Sequence, residues 1–376
     1  MHGQLDSNQA NGYLPSTGHI EAKKAISGYA GRPGFEVDQD DVIIASGCSG
    51  AVELVISAMV DEGDNILVPS PGFPLYQVIT DSLGGTTKHY PLLPDKGWEC
   101  DLKTMDKLVD NRTRAILINN PSNPCGAVYS AKHLQDIASV ARKHKLPIIA
   151  DEIYSGIVFK GEQFEPMQLH SGDVPVLSLG GLAKEFVCPG WRVGWITIHD
   201  RNGRLSEVKA GIKQLTQLIV GANSLVQACI PDVLAPTPKS GEERSLDEYS
   251  RKYIDLLQEN SEAAVKKTAE CPELEVIPAK GAMYAMVRIK VNALVGIKDD
   301  ADFAQQLLQE ENLVVLPGAC FGIENFVRIL TCPPKDVVSE SIDRMNDFCQ
   351  RRRRKTANGS STHNEKKRKQ HSIDVI

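Results

Sequence analysis

DVIIASGCSGAVELVISAMVDEGDNILVPS, residues 41–70, holds one complete unit of the pattern that decides the fold. A short β-branched run opens this stretch, a glycine-rich turn follows, and a second apolar run closes it. Between the two runs, apolar side chains recur at the spacing of one helical face: Val52, Val55, Ile56, Met59 and Val60. The order strand, helix, strand predicts two parallel strands of one sheet, with the helix packed across them.

The same alternation continues along most of the chain. Further strand-like runs occupy 114–120, 146–151 and 175–180, and helical stretches occupy 73–84, 130–144 and roughly 205–230, ending near Pro231. This order predicts the α/β class, in which helices cover both faces of a mostly parallel sheet.

The pattern changes after the loop-like stretch 235–245. Helical periods near 247–269 and 300–311, and a last helix to about 350, alternate there with short strands. We therefore predict a large α/β domain over 1–234, a smaller α+β domain over 235–350 and a disordered basic tail over 351–376.

The composition indicates an ordinary globular protein. The chain has 376 residues, of which 41% are hydrophobic and 24% charged, and this length favours two domains. Its nine cysteines are scattered and include no Cys-x-x-Cys pair, which favours a reducing, cytoplasmic setting over disulfides or a metal site. The sequence contains no run of 18 apolar residues, so we expect no membrane span.

Charge is distributed unevenly along the chain. The net charge is −6, but residues 351–376 alone carry +7, which leaves −13 on the preceding 350 residues. An acidic body argues against nucleic acid as the main partner. The basic segment is read as a disordered, solubilising tail, and its RRRRK and KKRK clusters leave nuclear targeting or polyanion binding as the alternative.

Ligands of open parallel sheets bind beyond the carboxyl ends of the strands, so the turns there form the candidate site. GCSGA (47–51) offers free N–H groups and the Ser49 hydroxyl to a phosphate, or is a simple helix cap. NNPSNPCG (119–126) leaves Asn123 free to project, or is a plain loop. Asp151 ends an apolar strand, where a carboxylate needs a nearby cation unless it caps a helix.

The fourth turn, GGLAKEFVCPGWRVGW (180–195), is harder to explain as a purely structural feature. Its single lysine, Lys184, stands among apolar residues, and the bend at Pro189 and Gly190 lets Lys184 and Arg192 face one cavity. A lysine in such a setting is a candidate amine nucleophile.

Taken together, these residues are the parts of a pyridoxal-phosphate site. Lys184 would bond to the cofactor aldehyde, and Asp151 would keep the pyridine nitrogen protonated. Asn123 and Tyr154 would hydrogen-bond to O3′, and Phe73 would stack on the ring.

The cofactor phosphate needs donors of its own. Ser49, the Gly50 and Ala51 amides and Arg192 would supply them. Arginine suits this place because its planar fork binds phosphate through two parallel hydrogen bonds.

These motifs resemble those of the fold-type I pyridoxal-phosphate aminotransferases, in particular the members that act on tyrosine. The resemblance extends from about Tyr13 to Phe348, and these stretches carry it: NGYLPSTG (11–18), SGCSGAVE (46–53), ILVPSPGFPLY (66–76), NNPSNPCG (119–126), ADEIY (150–154), GGLAK and PGWR (180–192), GAMYAM (281–286) and FVRI (326–329). It implies a large domain with a mostly parallel, seven-stranded type of sheet between helices.

The resemblance also implies a reaction and further site residues. Arg328, with Asn123, would bind the substrate α-carboxylate, although the residues alone leave a structural ion pair open for Arg328. Tyr13 would reach the phosphate of a neighbouring subunit, which implies a homodimer with shared active sites. The implied reaction converts L-tyrosine and 2-oxoglutarate into 4-hydroxyphenylpyruvate and L-glutamate, in tyrosine and phenylalanine catabolism, with Lys184 moving the α-proton.

The sequence departs from the family pattern in two respects. Glu185 directly follows Lys184, where tyrosine-acting relatives tend to have a basic residue. The family also has several tens of residues before the NGY motif, whereas this sequence starts 10 residues before it. We expect cofactor binding to survive without such a segment and substrate binding to weaken.

Two alternatives remain open. One is another pyridoxal-phosphate reaction on the same fold, such as a C–S β-lyase or a transaminase of broad specificity. The other is a non-catalytic relative that binds the cofactor without turnover.

Overall fold

The structure is a computed structural model that describes residues 1–234, 242–354 and 374–375. The helices of the first part of the chain are α1 His2–Ser7, α2 Ile20–Ala30, α3 Gly47–Ser57, α4 Leu75–Ser82, α5 Leu102–Leu108, α6 Ala131–His144, α7 Ser206–Ile219 and α8 Ser224–Leu234. Its strands are β1 Val42–Ser46, β2 Asn65–Ser70, β3 Thr86–Leu93, β4 Glu99–Cys100, β5 Thr113–Asn119, β6 Ile148–Asp151, β7 Val176–Gly181 and β8 Val193–His199.

The second part of the chain contains the helices α9 Glu242–Thr268, α10 Asp300–Glu311 and α11 Lys335–Arg352. Its strands are β9 Leu274–Ile277, β10 Tyr284–Ile289, β11 Leu313–Val314, β12 Leu316–Pro317, β13 Phe326–Leu330 and β14 Asp374–Val375.

The strands of the first part form one sheet in the order β1-β8-β7-β6-β5-β2-β3-β4. The central pairs β7·β6, β6·β5, β5·β2 and β2·β3 are parallel, while β8 runs antiparallel to both of its neighbours. This arrangement confirms the predicted α/β class with a mainly parallel sheet. The strands β3 and β8 were not predicted, because charged or polar residues interrupt the apolar run of β3 and β8 follows the site turn without a helix between them.

Helices cover both faces of this sheet. On one face, side chains of α3 and α4 pack against the strands, with Val55, Ile56 and Tyr76 fully buried. On the other face, α6 packs with Ile137 and Ala141 against the same strands. Because both faces are covered, a ligand can reach the central strands at their ends, and a cleft lies at their carboxyl ends.

The second part of the chain forms a separate antiparallel sheet in the order β12-β13-β10-β9. Helices α9, α10 and α11 bury its apolar side chains, and Phe303 of α10 meets Phe348 of α11 edge to face at 5.3 Å. The strand β13 brings Arg328 toward the large sheet. The proposed domain boundary at residue 235 lies outside the described residues and stays a prediction.

Two predicted elements are corrected. The long helix predicted over 205–230 is two helices, because Val220 adopts a left-handed conformation with φ 63° and ends α7. Pro231 does not end the second one: it lies inside α8, which continues to Leu234.

The basic tail predicted from residue 351 starts later. Arg351 and Arg352 form the last turn of α11, where Arg352 pairs with Glu310. Arg353 donates to both carboxylate oxygens of Glu273, at 2.6 and 2.8 Å. Most of the remaining tail, 355–373 and 376, lies outside the described residues.

Two further findings concern the cysteines and the helices. All nine cysteines are free thiols. No helix in the described part of the chain combines the length and the apolarity that crossing a bilayer requires.

Candidate active site

A cleft of about 300 Å³ opens at the carboxyl ends of β5, β6 and β7. It is lined by Cys48, Ser49, Val52, Phe73, Leu75, Tyr76, Asn119, Asn123, Asp151, Ile153, Tyr154, Ala183, Lys184, Pro189, Arg192, Tyr284 and Arg328. Eight residues predicted from four separate strand ends and from two distant segments of the chain therefore lie in one cavity: Ser49, Phe73, Asn123, Asp151, Tyr154, Lys184, Arg192 and Arg328.

One wall of the cleft is the start of helix α3. Ser46 at its N-cap makes no side-chain cap hydrogen bond, so the first N–H groups of the helix lack that partner. Ser49 lies in this first turn, and the predicted phosphate donors Gly50 and Ala51 follow it, although neither of these two residues lines the cleft.

Arg192 lies directly over this helix start. Its Nη1 donates to the Pro189 carbonyl at 3.0 Å and its Nη2 to the Ser46 carbonyl at 3.4 Å. Gly47 has φ +74°, and a Cβ at that position would overlap the Arg192 guanidinium. Only glycine therefore allows the arginine to approach the helix terminus, where uncapped N–H groups and a guanidinium favour an anion.

Asp151 ends strand β6 at the floor of the cleft, and its side chain is buried. Its Oδ2 accepts a 2.6 Å hydrogen bond from the Tyr76 hydroxyl, and its Oδ1 accepts from the Ile153 amide at 3.3 Å and lies 3.6 Å from the Cys48 thiol. Burial raises the pKa of Asp151, whereas the hydrogen bond from Tyr76 and the charge of Lys184 oppose that rise. A buried carboxylate without a directly bonded cation is suited to bind one.

Tyr76 and Cys48 were missed by the sequence analysis. Tyr76 lies on the buried face of α4, three residues after Phe73. A signal for it existed, because a tyrosine on the apolar side of a helix needs a hydrogen-bond partner for its hydroxyl. Cys48 gave no comparable signal, since buried cysteines are common in cores.

Lys184 lies in the turn after β7, half-buried, with its Nζ 5.6 Å from the centre of the Tyr154 ring. Tyr154 is buried, and its hydroxyl hydrogen-bonds to that of Tyr284 at 3.0 Å. Tyr284, on β10, comes from the second sheet and was not predicted as a site residue. Lys184 and Tyr154 thus face the cleft from the large sheet, and Tyr284 faces it from the second sheet.

Arg328 enters the cleft from β13. Its Nη1 donates to Asn123 Oδ1 at 2.8 Å, and its guanidinium lies between the rings of Tyr284 and Phe321, at 4.3 and 4.8 Å from their centres. Its Nε is buried and has no hydrogen-bond partner among the described residues. Burial lowers the pKa of Arg328, and no described carboxylate pairs with it, so the site favours an anionic ligand.

The two remaining predicted aromatic residues are more exposed. Phe73 stands at the cleft mouth with 37% of its surface exposed and meets the Tyr76 ring edge to face at 5.8 Å. Tyr13 is 95% exposed and lies outside the cleft of its own chain.

Comparison with known proteins places this geometry in a family. The model of the family "Aminotransferase class I and II" matches residues 2–344. The chain belongs to that family. This aminotransferase is similar to the tyrosine aminotransferase of Dictyostelium discoideum, with 42% identity over 93% of this chain and 84% of the relative.

Solved structures of aminotransferases share the fold. The tyrosine aminotransferase of Leishmania infantum superposes with a TM-score of 0.88 at 34% identity, covering 94% of this chain and 86% of that one. The alanine aminotransferase of Pyrococcus furiosus superposes with a TM-score of 0.87 at 29% identity, covering 93% and 87%. The names of these two aminotransferases give different amino donors, tyrosine and alanine. The backbones of both are nearly the same as that of this chain.

Proposed function

We propose that this aminotransferase uses pyridoxal phosphate to transfer the amino group of an aromatic L-amino acid, L-tyrosine, to 2-oxoglutarate. One observation supports the proposal above all others. Lys184, Asp151, Arg192 and Arg328, which come from three separate stretches of the sequence, line a single cleft.

The residues of the cleft fit the cofactor at each of its ends. The uncapped start of α3, Ser49 and Arg192 suit the phosphate, and the buried carboxylate of Asp151 suits a protonated pyridine nitrogen. Asn123 and Tyr154 are available for O3′, and Phe73 stands where it can cover the ring. Pyridoxal phosphate supplies an aldehyde for the amino group and a ring that withdraws electrons from the substrate α-carbon.

The protein groups have separate tasks in this reaction. As a general base, Lys184 Nζ would remove the proton from the substrate α-carbon. As a general acid, it would then give this proton to the cofactor carbon that takes up the amino group. Asp151 holds the proton on the pyridine nitrogen. Arg328 binds the α-carboxylate through its free Nε and its fork, which fixes the substrate over the ring.

The identity of the amino donor comes from the relatives. The tyrosine aminotransferases of Dictyostelium discoideum and Leishmania infantum are 42% and 34% identical to this chain over the aligned residues, and their names support tyrosine. Tyr284 and Phe321 offer aromatic surface beside Arg328. We infer a place in tyrosine and phenylalanine catabolism, in the cytoplasm, and a homodimer in which Tyr13 reaches the neighbouring site.

The test is a donor and acceptor profile of the purified protein with pyridoxal phosphate added. We expect tyrosine to be preferred over alanine, with 2-oxo acid and glutamate formed in equal amounts. A preference for alanine would contradict the assignment of an aromatic amino donor but would still agree with a transaminase activity. Release of a thiol from a cysteine conjugate without transfer would indicate a β-lyase, and a bound cofactor without turnover would indicate a non-catalytic relative.

A further inference from the structure

Glu185 directly follows Lys184, but its side chain leaves the active-site cleft. It lines a separate small cavity of about 60 Å³ behind the strand-end turns, together with Tyr29, Arg32, Glu152 and Ser155. No ion pair with a described basic side chain compensates its carboxylate, and burial raises the pKa of Glu185. The mechanism proposed above does not use this residue, so its burial beside the lysine needs another reason.

Tyr29, near the end of α2, is the first partner of Glu185. Its hydroxyl donates a 2.7 Å hydrogen bond to Glu185 Oε2. Its ring is fixed by Trp195, whose ring lies edge to face with it at 6.0 Å, and by Phe186 at 6.3 Å. The hydroxyl of Tyr29 is therefore held at one place between two loops.

Gly156 is the second partner of Glu185. The Glu185 carboxyl group lies directly against the backbone at Gly156. A Cβ at position 156 would overlap the carboxyl group of Glu185, so the close approach of side chain to backbone requires glycine there. Ser155 and Gly156 directly follow Tyr154, which lines the active-site cleft.

We propose that Glu185, hydrogen-bonded to Tyr29 and packed against the backbone of Gly156, fixes the lysine turn relative to the loop bearing Tyr154. Glu185 is thereby a positioning residue, which acts through its neighbour Lys184 without touching the substrate or the cofactor. These contacts of Glu185 tie together two loops whose functional atoms must stay aligned, since Lys184 Nζ lies 5.6 Å from the centre of the Tyr154 ring. Small displacements of such groups cost more in turnover than in binding. This inference rests on the proposed function.

The experiment compares Glu185→Ala, Glu185→Gln and Tyr29→Phe in the protein loaded with pyridoxal phosphate. We expect Glu185→Ala to lower kcat at least tenfold with KM changed less than threefold. In a pH titration, the visible absorption of the cofactor bound to Lys184 changes around a midpoint pH, here called the optical midpoint. Glu185→Ala should also shift this optical midpoint by at least 0.5 pH unit. Glu185→Gln keeps an acceptor oxygen and should restore kcat to within threefold of the wild type.

A double variant tests whether Tyr29 and Glu185 act as one unit. Tyr29→Phe combined with Glu185→Ala should be no slower than Glu185→Ala alone, because both changes remove the same Tyr29–Glu185 hydrogen bond. Glu207→Ala, an exposed glutamate in the first turn of α7, is the matched control and should leave kcat and the optical midpoint unchanged. If Glu185→Ala lowers the melting temperature but moves neither kcat nor the optical midpoint, the residue is only structural and the inference is wrong.

The result can be separated from the fate of the proposed function. A wild-type protein that bonds the cofactor but transaminates no donor would overturn the proposed function. The optical midpoint of Glu185→Ala would still decide the positioning role of Glu185 in that case: a shift would support that role, and an unchanged midpoint would overturn it.

Discussion

The Tyr76 hydroxyl donates a 2.6 Å hydrogen bond to Asp151 Oδ2, and both side chains are buried at the floor of the cleft. This bond favours the ionised form of a carboxylate whose pKa burial otherwise raises. In the proposed reaction Asp151 must stay ionised beside the pyridine nitrogen. Helix α4 thus supports the charge of a residue that ends strand β6.

Replacing Tyr76 by Phe should therefore move the acidic limb of the pH–rate profile to higher pH. Without the hydrogen bond the pKa of Asp151 rises further, so a larger fraction is protonated and inactive at a given acidic pH. We expect kcat near neutral pH to fall about tenfold, the loss of about 1.4 kcal/mol that one hydrogen bond to a charged group can account for.

Tyr90→Phe is the control for this change. Tyr90 is equally buried and donates a 2.7 Å hydrogen bond to the Leu117 carbonyl, away from the cleft lining. It should lower stability without moving the profile. A Tyr76→Phe profile that coincides with the wild type would show that the bond does not act on the charge of Asp151.

Asp151→Asn should separate cofactor binding from turnover. Asparagine keeps the shape and an acceptor oxygen but removes the negative charge that holds the pyridinium proton. We expect the visible absorption of the bound cofactor to remain and kcat to fall by orders of magnitude. Single-turnover assays with tyrosine measure this, and near-normal turnover in the asparagine variant would rule out the role given to Asp151.

Arg192→Ala should affect retention of the cofactor more than the chemical step. The loss of a charge-assisted contact to the phosphate typically costs on the order of 1.5–3 kcal/mol, so dialysis should remove most of the cofactor. Activity should return at high added pyridoxal phosphate. Arg204→Ala, which removes an exposed ion pair with Asp173, is the control, and equal retention in both variants would place the phosphate elsewhere.

Glu152→Gln should change how stability depends on pH. Burial raises the pKa of Glu152 to about 7, and its Oε1 accepts a 2.8 Å hydrogen bond from the Met167 amide, which a glutamine carbonyl can also accept. A carboxyl with a raised folded-state pKa stabilises the fold below its unfolded pKa of about 4.5 and loses that contribution as pH rises through about 7.

The glutamine variant has no such proton to lose. Its free energy of unfolding relative to the wild type should therefore rise between pH 5 and pH 8, by up to about 3 kcal/mol. Urea unfolding at the two pH values measures the difference, with the exposed Glu207→Gln as the control. Parallel pH dependence of wild type and Glu152→Gln would contradict the raised pKa.

The central strands of the large sheet and their parallel direction could be predicted because these strands are short, apolar runs separated by helical periods. The edges could not: β3 mixes Lys88 and His89 with apolar residues, and β8 reverses direction directly after the site turn. Val220 shows the same limit in a helix, since no local sequence pattern marks a valine for the left-handed conformation that ends α7.

Site residues could be predicted where a charged side chain stands in an apolar stretch of sequence. Lys184, Asp151 and Arg328 are such residues. Tyr76, Tyr284 and Glu185 were missed as partners because their functions depend on contacts between segments 75 to 156 residues apart. The sequence gives no distance between such segments. These partners can be identified only from the folded structure, in which the strand ends lie next to each other.

The central claim is that Lys184 bonds to the cofactor, and chemical trapping tests it most directly. The protein should be mixed with pyridoxal phosphate, reduced with borohydride, digested and analysed by mass spectrometry. We predict one modified peptide, with the pyridoxyl group on Lys184, and no stable visible absorption in a Lys184→Ala variant. A modified peptide that lacks Lys184 would contradict the account.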